Sequence, residues 1–186
     1  MVLVLIKNLE SDNKMNKRNE AEALLLAQVL KLPCVAALEI PEDYLDSNGH
    51  MNMMYFTLVA NLGWKDFFNQ LGLPRERMLA DHRSTFALRQ FISYFNELRV
   101  GDKVAVYGQL VDFDSKRVHF IFHIVNVSSH KLASSDERLI MYMDMTTRRS
   151  ATFDPDVLAQ MEQVKAHYTA LNVQPELSGA IKIGKS

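Results

Sequence analysis

The sequence predicts an α+β fold in which a curved antiparallel sheet wraps around one central helix. Two observations lead to this prediction: a strongly apolar helical segment over residues 51–71, and four runs of alternating apolar and polar residues after it. The chain has 186 residues and is 48% hydrophobic, which is enough for a single domain with a substantial core. A sheet that wraps the apolar helix is the simplest way to bury it.

Residues 1–34 are expected to form an N-terminal extension that contains a helix. Residues 18–32 are rich in Ala and Leu, and Pro33 ends the helical pattern. The apolar run over residues 35–40, which stops at Pro41, then predicts the first strand of the main domain.

The central helix is predicted to follow a turn over residues 42–50. Its first half is apolar nearly all round, and Gly72 with Pro74 just beyond it marks the C-terminal end. A helix of this kind is expected to be buried on most sides. One narrow polar stripe repeats every four positions, at Thr57, Asn61, Lys65 and Asn69.

The alternating runs begin after a polar loop over residues 74–84 and predict an antiparallel meander. Turns are predicted at Gly101-Asp102 and Asp114-Ser115, and a polar loop at 128–137. The main domain is expected to span residues 35–150. Because a single curved sheet leaves its edges open, we expect a homodimer or a homotetramer.

The last part of the chain is predicted to be a C-terminal helix within residues 151–172 and a tail over residues 173–186. Asp154 is placed to cap this helix, and Pro155 suits its first position.

Charge and cysteine content argue against several classes of function. The net charge of −1 gives no field that would draw the protein to nucleic acid or to an acidic membrane, so neither is expected as a partner. No secretory signal or membrane span is apparent. The single cysteine, Cys34, suits a cytoplasmic protein, and its apolar neighbours indicate a small core residue.

The most informative stretch is the turn Asp46-Ser47-Asn48-Gly49-His50, which opens directly into the central helix. A helix N-terminus offers unpaired N–H groups and the positive end of a dipole, so a carboxylate beside it is half of an acyl-transfer site. Asp46 is the candidate nucleophile or general base. The N–H groups near Asn52 and Met53 are the candidate carbonyl-polarising donors. Gly49 would let a ligand approach the backbone closely.

Each candidate also has a plainer interpretation. Asp46 and Asn48 are common turn formers, and their spacing alone favours that role. His50 is a base, an orienting group or a residue that hydrogen-bonds the turn. Asn52 holds a water molecule or caps the helix. Glu97 is a second carboxylate of the site or a solvated strand end, and the residue pattern alone favours the latter.

Metal and nucleotide chemistry find little support. His119 and His123 fall in a predicted strand about 13 Å apart, too far to share one ion, so no metal is expected. The face that carries them is interpreted as a partly polar surface or a subunit contact. The pairs Lys116-Arg117 and Arg148-Arg149 are phosphate ligands or solvated turn charges. No glycine-rich nucleotide loop and no G-x-S-x-G motif occurs, and no cofactor is expected.

At Asp46-Ser47-Asn48-Gly49-His50-Met51-Asn52, followed by Tyr55, the chain resembles the hotdog-fold acyl-CoA thioesterases of the 4-hydroxybenzoyl-CoA thioesterase type. The stretch Glu97-Leu98-Arg99-Val100-Gly101-Asp102 adds to the resemblance, which covers about residues 35–150. It implies a single hotdog domain that hydrolyses an acyl-CoA thioester.

The resemblance also implies roles for individual residues. Asp46 matches the catalytic aspartate of that family, and the N–H near Met53 matches its oxyanion donor. CoA would lie along a subunit interface with its phosphates near basic residues. The predicted catalytic residues are Asp46, His50, Asn52 and Met53, and the predicted substrate-binding residues are Gly49, Tyr55 and Glu97.

A narrower similarity links the chain to thioesterase domains of carnitine catabolism, which are associated with carnitine dehydrogenase and hydrolyse betainyl-CoA. It is carried by Gln109-Leu110, Phe122-His123 and the stretches over residues 114–119 and 143–149. A quaternary ammonium acyl group would need an aromatic cage. The aromatic residues available for it are Tyr55, Phe56, Trp64 and Tyr94.

Two other functions stay open at this level. A hotdog dehydratase or hydratase pairs an aspartate and a histidine in a D-x-N-x-x-H type of motif, whereas the order of Asp46, Asn48 and His50 gives a different spacing. A non-catalytic acyl-CoA or acyl-carrier binding protein would bind its ligand without turnover and would tolerate Asp46→Asn in binding.

Overall fold

The computed structural model describes residues 20–175 and 177–184, and a six-stranded antiparallel sheet dominates them. The strands in chain order are β1 (Cys34–Glu39), β2 (Arg83–Tyr94), β3 (Lys103–Phe113), β4 (Arg117–Asn126), β5 (Lys131–Asp144) and β6 (Arg149–Ser150). In space they follow the order β1-β3-β4-β5-β2, and the short β6 pairs with β5.

Helices that come before, between and after the strands in the sequence pack against this sheet. They are α1 (20–29), α2 (Met53–Leu62), α3 (Trp64–Gln70), α4 (Arg75–Ala80) and α5 (Pro155–Ala170), and a short 3-10 helix covers Glu42–Tyr44. The predicted α+β fold, an antiparallel sheet around a central helix, is confirmed. In the described part of the chain, no helix is both long and apolar enough to cross a bilayer.

The predicted helix over residues 51–71 forms two helices, because the helical hydrogen-bond pattern is interrupted at Gly63. A Cβ atom at Gly63 would lie 2.5 Å from Cγ2 of Val35 in β1, so the helical backbone approaches the sheet too closely for a side chain. The Gly63 N–H donates to the Ala60 carbonyl at 3.1 Å, an i→i+3 bond that tightens the end of α2. Both helices contact β1.

Aromatic side chains fill the space between α3 and the sheet. The Phe67 ring lies 5.2 Å from that of Phe120 and 5.3 Å from that of Phe122. A Cβ atom at Gly108 would meet the Phe67 ring at 2.6 Å, so this glycine leaves room for the ring. Trp64 stacks on Phe68 with centroids 4.2 Å apart. This cluster anchors α3, which follows the helix that carries the candidate site.

One side of α2 is not buried within the chain, contrary to the expectation of burial on most sides. Met54, Leu58 and Leu62 are 76%, 44% and 47% exposed. Neighbouring residues of α2 contact β2, since Phe56 meets Tyr94 and Thr57 accepts a hydrogen bond from Gln90. β2 is an edge strand whose central residues 87–91 are exposed. We call this surface the α2–β2 edge, defined by Met54, Leu58, Leu62, Leu88, Phe91 and Tyr94.

The polar loop predicted at 128–137 is mostly strand, because β5 begins at Lys131. The acidic side chains of Asp136 and Glu137 are buried there and are paired with other side chains. Asp136 accepts hydrogen bonds from Arg138 at 2.5 Å and from Gln90 at 2.9 Å, and Glu137 pairs with His119 at 2.8 Å. The polar loop predicted at 74–84 likewise contains α4 and the start of β2.

The face of the sheet that carries His119 and His123 is buried, so its interpretation as a surface or subunit contact is wrong. The C-terminal segment, residues 173–175 and 177–184, lies over it: the Ser178 N–H donates to Glu137 at 2.8 Å, and Gln109 donates to the Val173 carbonyl at 3.3 Å. On the same face α1 packs through Val29 against β4 and β5. We call this the covered face.

Cys34 is exposed and not a core residue, because it stands at the first position of β1. Its thiol lies 3.3 Å from the Ala36 carbonyl. The apolar residues around it in the sequence are buried instead, at Leu32 and Val35.

Candidate active site

The turn before α2 is closed by its own backbone and by the Asp46 side chain. The Asp46 N–H donates to the His50 carbonyl at 3.0 Å, and the Gly49 N–H donates to the Asp46 carbonyl at 3.1 Å. Oδ1 of Asp46 also accepts the Asn48 N–H at 2.8 Å, so the turn-forming role is present. Gly49 has a φ of +79°, which favours glycine at this position.

The first turn of α2 leaves one donor unused. Asn52 caps the helix, since its side-chain oxygen accepts the Met54 N–H at 3.0 Å. The Asn52 N–H donates to the Tyr44 carbonyl at 2.9 Å. Among the described residues, the Met53 N–H has no acceptor. It is therefore the N–H at this helix start that remains available to a ligand.

A cavity of about 440 Å³ opens between this turn and the segment that follows β2. It brings together five of the seven predicted site residues. Gly49 and Tyr55 are outside its lining, and Tyr55 stacks on Tyr44 with ring centroids 4.2 Å apart. The lining consists of Asp46, His50, Met51, Asn52, Met53, Phe56, Tyr94, Phe95, Asn96 and Glu97.

The local hydrogen bonds favour the ionised form of Asp46. The Asn48 N–H lowers the pKa of this carboxyl below its usual range, burial opposes the change, and His50 lowers the pKa further. Nδ1 of His50 lies 3.8 Å from Oδ1 of Asp46. A carboxylate that is ionised at neutral pH can accept a proton from water or attack a carbonyl carbon.

The aromatic residues expected to form one cage are divided between different places. Phe56 and Tyr94 meet edge to face at the cavity, with ring centroids 5.0 Å apart. Burial raises the pKa of the Tyr94 phenol, and the nearby Asp136 carboxylate adds to this effect. Trp64 stacks in the core and Tyr55 on the far side of the turn. Only two of the four rings therefore face this cavity.

Phe95 and Asn96 line the cavity and were missed by the sequence analysis. Both N–H groups donate to the Ala133 carbonyl, at 2.8 and 3.2 Å. The Asn96 side chain also donates to Glu22 of α1 at 2.6 Å. Because these contacts are long-range, no local pattern in the sequence signals them.

A second cavity, of about 460 Å³, lies beside α1 on the covered face. Glu22 is the ionisable side chain in its lining, and its carboxylate accepts a hydrogen bond from the Asn96 side chain at 2.6 Å. The described residues contain no group of three or more side chains suited to a metal ion. The cavity at Asp46 combines a carboxylate with an unused backbone donor.

Known proteins are similar to this chain in fold and in sequence. Residues 41–161 match the thioesterase-like superfamily. The betainyl-CoA thioesterase of Pseudomonas aeruginosa is 28% identical over 139 residues, which cover 75% of this chain and 87% of that protein. A Staphylococcus aureus protein solved in complex with CoA superposes with a TM-score of 0.66 at 24% identity, covering 83% of this chain and 97% of its own. A putative thioesterase from Pseudomonas putida superposes with a TM-score of 0.67 at 20% identity, with the same shares covered.

The fold and the sequence match together define a thioester hydrolase with the hotdog fold. The chain belongs to the thioesterase-like superfamily, whose match spans more than half of its length. The predicted resemblance and enzyme class are thereby confirmed, and family and relatives support acyl-CoA thioesterase activity.

Proposed function

We propose that the protein hydrolyses an acyl-CoA thioester in the Asp46 cavity, with Asp46 as nucleophile or general base and the Met53 N–H as oxyanion donor. One observation carries this proposal: an ionised carboxylate and an unused helix-terminal N–H line the same cavity. Such a pair supplies both groups that acyl transfer to water requires.

In the general-base form of the reaction, Asp46 takes a proton from water as the water oxygen attacks the thioester carbon. The Met53 N–H donates to the carbonyl oxygen while negative charge develops there. The new C–O bond forms, the C–S bond breaks, and the sulfur leaves with its electron pair as the CoA thiolate. The proton held by Asp46 then passes to the thiolate. In the nucleophilic form an Asp46 oxygen attacks the thioester carbon, the C–S bond breaks, and the CoA thiolate leaves as a mixed acyl anhydride forms on Asp46. Water then cleaves the anhydride to the free acid and the Asp46 carboxyl, whose proton passes to the thiolate.

His50, Asn52 and Glu97 are assigned supporting roles. Asn52 positions the helix start through its cap, and His50 adds a polar group 3.8 Å from the Asp46 carboxylate. Glu97 lies at the cavity rim beside Arg99, with 3.5 Å between its carboxylate and the guanidinium. Gly49 keeps the turn tight, and Tyr55 braces it through Tyr44.

The acyl group is proposed to be small and to carry a quaternary ammonium. The Phe56 and Tyr94 rings present aromatic surface to the cavity. Aromatic faces attract a quaternary ammonium group. The similarity to the Pseudomonas aeruginosa betainyl-CoA thioesterase supports the same class of substrate.

The working unit is proposed to be a homodimer formed through the α2–β2 edge. An edge strand with exposed apolar residues is a surface that a second copy can pair with and cover. Tyr94 belongs both to the lining of the cavity and to the α2–β2 edge, and the exposed side chain of Met53 lines the cavity next to Met54 of that edge. A partner at this edge would therefore also enclose the cavity. The covered face is occupied by α1 and the C-terminal segment, which supports a homodimer over a homotetramer stacked through that face.

Thiol release from a panel of acyl-CoA thioesters tests the activity. The panel contains short, aromatic, long-chain and betainyl thioesters, and the variants are Asp46→Asn and, as a matched control, Asp43→Asn in the exposed 3-10 helix. We expect turnover to be greatest with the betainyl thioester, to fall about 10²- to 10⁴-fold in Asp46→Asn, and to persist in the control. Binding without turnover by the unaltered protein would replace the enzyme with a binding module.

Sedimentation of Leu58→Glu tests the dimer. A charge in the α2–β2 edge is expected to give monomers with reduced turnover, whereas Leu24→Glu on the exposed side of α1 should leave the dimer intact. A dimer that survives Leu58→Glu would place the interface elsewhere.

We also propose a cytoplasmic location, since Cys34 is a free, exposed thiol of the kind that a reducing compartment preserves.

A further inference from the structure

Asn96 joins the helix α1 to the lining of the Asp46 cavity. Its side-chain nitrogen Nδ2 donates to the Glu22 carboxylate of α1 at 2.6 Å and to the Leu132 carbonyl of β5 at 2.8 Å. Asn96 lines the Asp46 cavity, whereas the neighbouring cavity beside α1 is lined by Glu22 and Leu132 and not by Asn96. Asn96 therefore connects α1 to the candidate active site.

The two hydrogen-bond partners fix the orientation of the Asn96 carboxamide. An ionised carboxylate and a backbone carbonyl accept hydrogen bonds but cannot donate them, so the amide nitrogen must face both. Both amide hydrogens are then used. Among the described residues, the side-chain oxygen Oδ1 of Asn96 accepts no hydrogen bond, and it remains accessible. Since Asn96 lines the Asp46 cavity, this oxygen is a free acceptor for a group bound there.

Contacts with the covered face hold Glu22 in place. Val29 of the same helix is fully buried in a cluster with β4 and β5. The Gln28 side chain accepts the Gln174 N–H at 2.9 Å. The helix α1 lies outside residues 41–161, which match the thioesterase-like superfamily. The family match therefore does not include the element that orients Asn96.

The Asp46 cavity suits a positively charged group. Its lining contains the Asp46 and Glu97 carboxylates, and among the described residues no lysine or arginine belongs to it. Arg99 offsets Glu97 from the rim at 3.5 Å, whereas local hydrogen bonds keep Asp46 ionised. The two aromatic rings at the cavity and the free Asn96 oxygen add negative potential. A quaternary ammonium group has no N–H, so ring faces and oxygen dipoles attract it without directed hydrogen bonds.

We propose that the Asn96 side-chain oxygen contacts the cationic end of the acyl group and determines specificity for it, and that Glu22 is a positioning residue that keeps this oxygen turned to the cavity. Without Glu22, the carboxamide keeps only the Leu132 carbonyl as a partner and can rotate to present its N–H groups, which repel a cation. The inference rests on the proposed function and deepens it, since it names a group that selects the acyl group and gives α1 a part in the site.

Two substrates of equal shape test this contact. Betainyl-CoA is compared with tert-butylacetyl-CoA, in which a carbon atom replaces the charged nitrogen. The measured quantity is the ratio of kcat/KM for the first substrate to kcat/KM for the second. This ratio does not depend on the fraction of folded protein, so a destabilised variant still gives an answer. We expect the ratio to fall about tenfold in Asn96→Leu and in Glu22→Ala, through a higher KM for betainyl-CoA with kcat kept.

Three further variants separate positioning from a general effect on the fold. Glu22→Gln keeps an acceptor oxygen for Asn96 and should keep the ratio. Glu20→Ala, at an exposed position of α1, is the matched control and should keep it as well. In the double variant Glu22→Ala/Asn96→Leu, the ratio should fall no further than in Asn96→Leu, because Glu22 acts through the Asn96 oxygen.

The outcomes distinguish this inference from the proposed function. An unchanged ratio in Asn96→Leu or in Glu22→Ala would overturn the inference, as would losses that add in the double variant. Equal turnover of the two substrates by the unaltered protein would also overturn it, and would leave the acyl-CoA thioesterase in place. If the unaltered protein released thiol from neither substrate nor from any member of the acyl-CoA panel, the proposed function itself would fail.

Discussion

His123 gives a sharp prediction about the covered face. Its ring is 1% exposed, Nδ1 contacts the Ser135 hydroxyl at 2.8 Å, and Nε2 has no partner among the described residues. Burial lowers the pKa of His123 from 6.5 to about 4. The folded protein therefore holds this imidazole neutral over a pH range in which an unfolded chain would protonate it.

The sign and size of the effect on stability follow from that pKa. Below pH 6.5 the unfolded state binds a proton that the folded state does not bind until about pH 4. The stability contributed by neutral His123 is therefore complete above pH 6.5 and is lost as the pH falls toward 4. Since each pKa unit corresponds to about 1.4 kcal/mol, we expect a loss of about 3 kcal/mol across this range.

Urea unfolding measured at several pH values between about 7.5 and 4.5 tests this reasoning. The quantity compared is the slope of the free energy of unfolding against pH in the unaltered protein and in His123→Gln, which removes the titrating group. His167→Gln, at an exposed position of α5, is the matched control. We expect this slope to decrease in His123→Gln and to keep its unaltered value in the control. Equal slopes in all three proteins would refute the buried neutral histidine as its source.

Three further predictions concern single positions. Gly63→Ala would place a Cβ atom 2.5 Å from Val35, so we expect a loss of about 1–3 kcal/mol and a lower Tm in thermal unfolding; an unchanged Tm would contradict the close approach. Asn52→Ala removes the cap on the Met54 N–H and should cost about 1 kcal/mol and lower kcat, measured by urea unfolding and thiol release; an unchanged kcat would separate the cap from the reaction. Cys34 should react with a thiol reagent in the native protein as fast as in urea, and strong native-state protection would show that it is covered.

The fold could be predicted because its main signals are local. The apolar helix and the alternating strands each carry their pattern within a short stretch. The predicted runs at Val104, Val106 and Leu110 and at Val118, Phe120, Phe122 and Ile124 fall in β3 and β4. The polar beginning of β5 could not be identified in this way. Asp136 and Glu137 are buried only because Arg138, Gln90 and His119 meet them, and these pairings join distant parts of the chain.

The candidate site likewise contains residues that are close together in the sequence and residues that only the fold brings together. Asp46, Asn52 and Met53 lie within one turn and one helix start, so the sequence itself brings them close together. Phe95 and Asn96 reach the cavity through contacts with β5 and α1, which only the tertiary structure brings about. The catalytic roles of the first group stay predictions until the Asp46 variant is measured.

The apolar character of α2 has two sources that a sequence does not separate. Phe56 and Val59 are apolar because they face the sheet, and both are buried within the chain. Leu58 and Leu62 are equally apolar but exposed beside an edge strand. The pattern of α2 therefore combines a face that is buried inside the subunit with an exposed apolar face, and the proposed dimer would cover the second. Because Tyr94 belongs both to the α2–β2 edge and to the lining of the Asp46 cavity, pairing of two β2 strands would bury the exposed leucines and narrow the mouth of the cavity together.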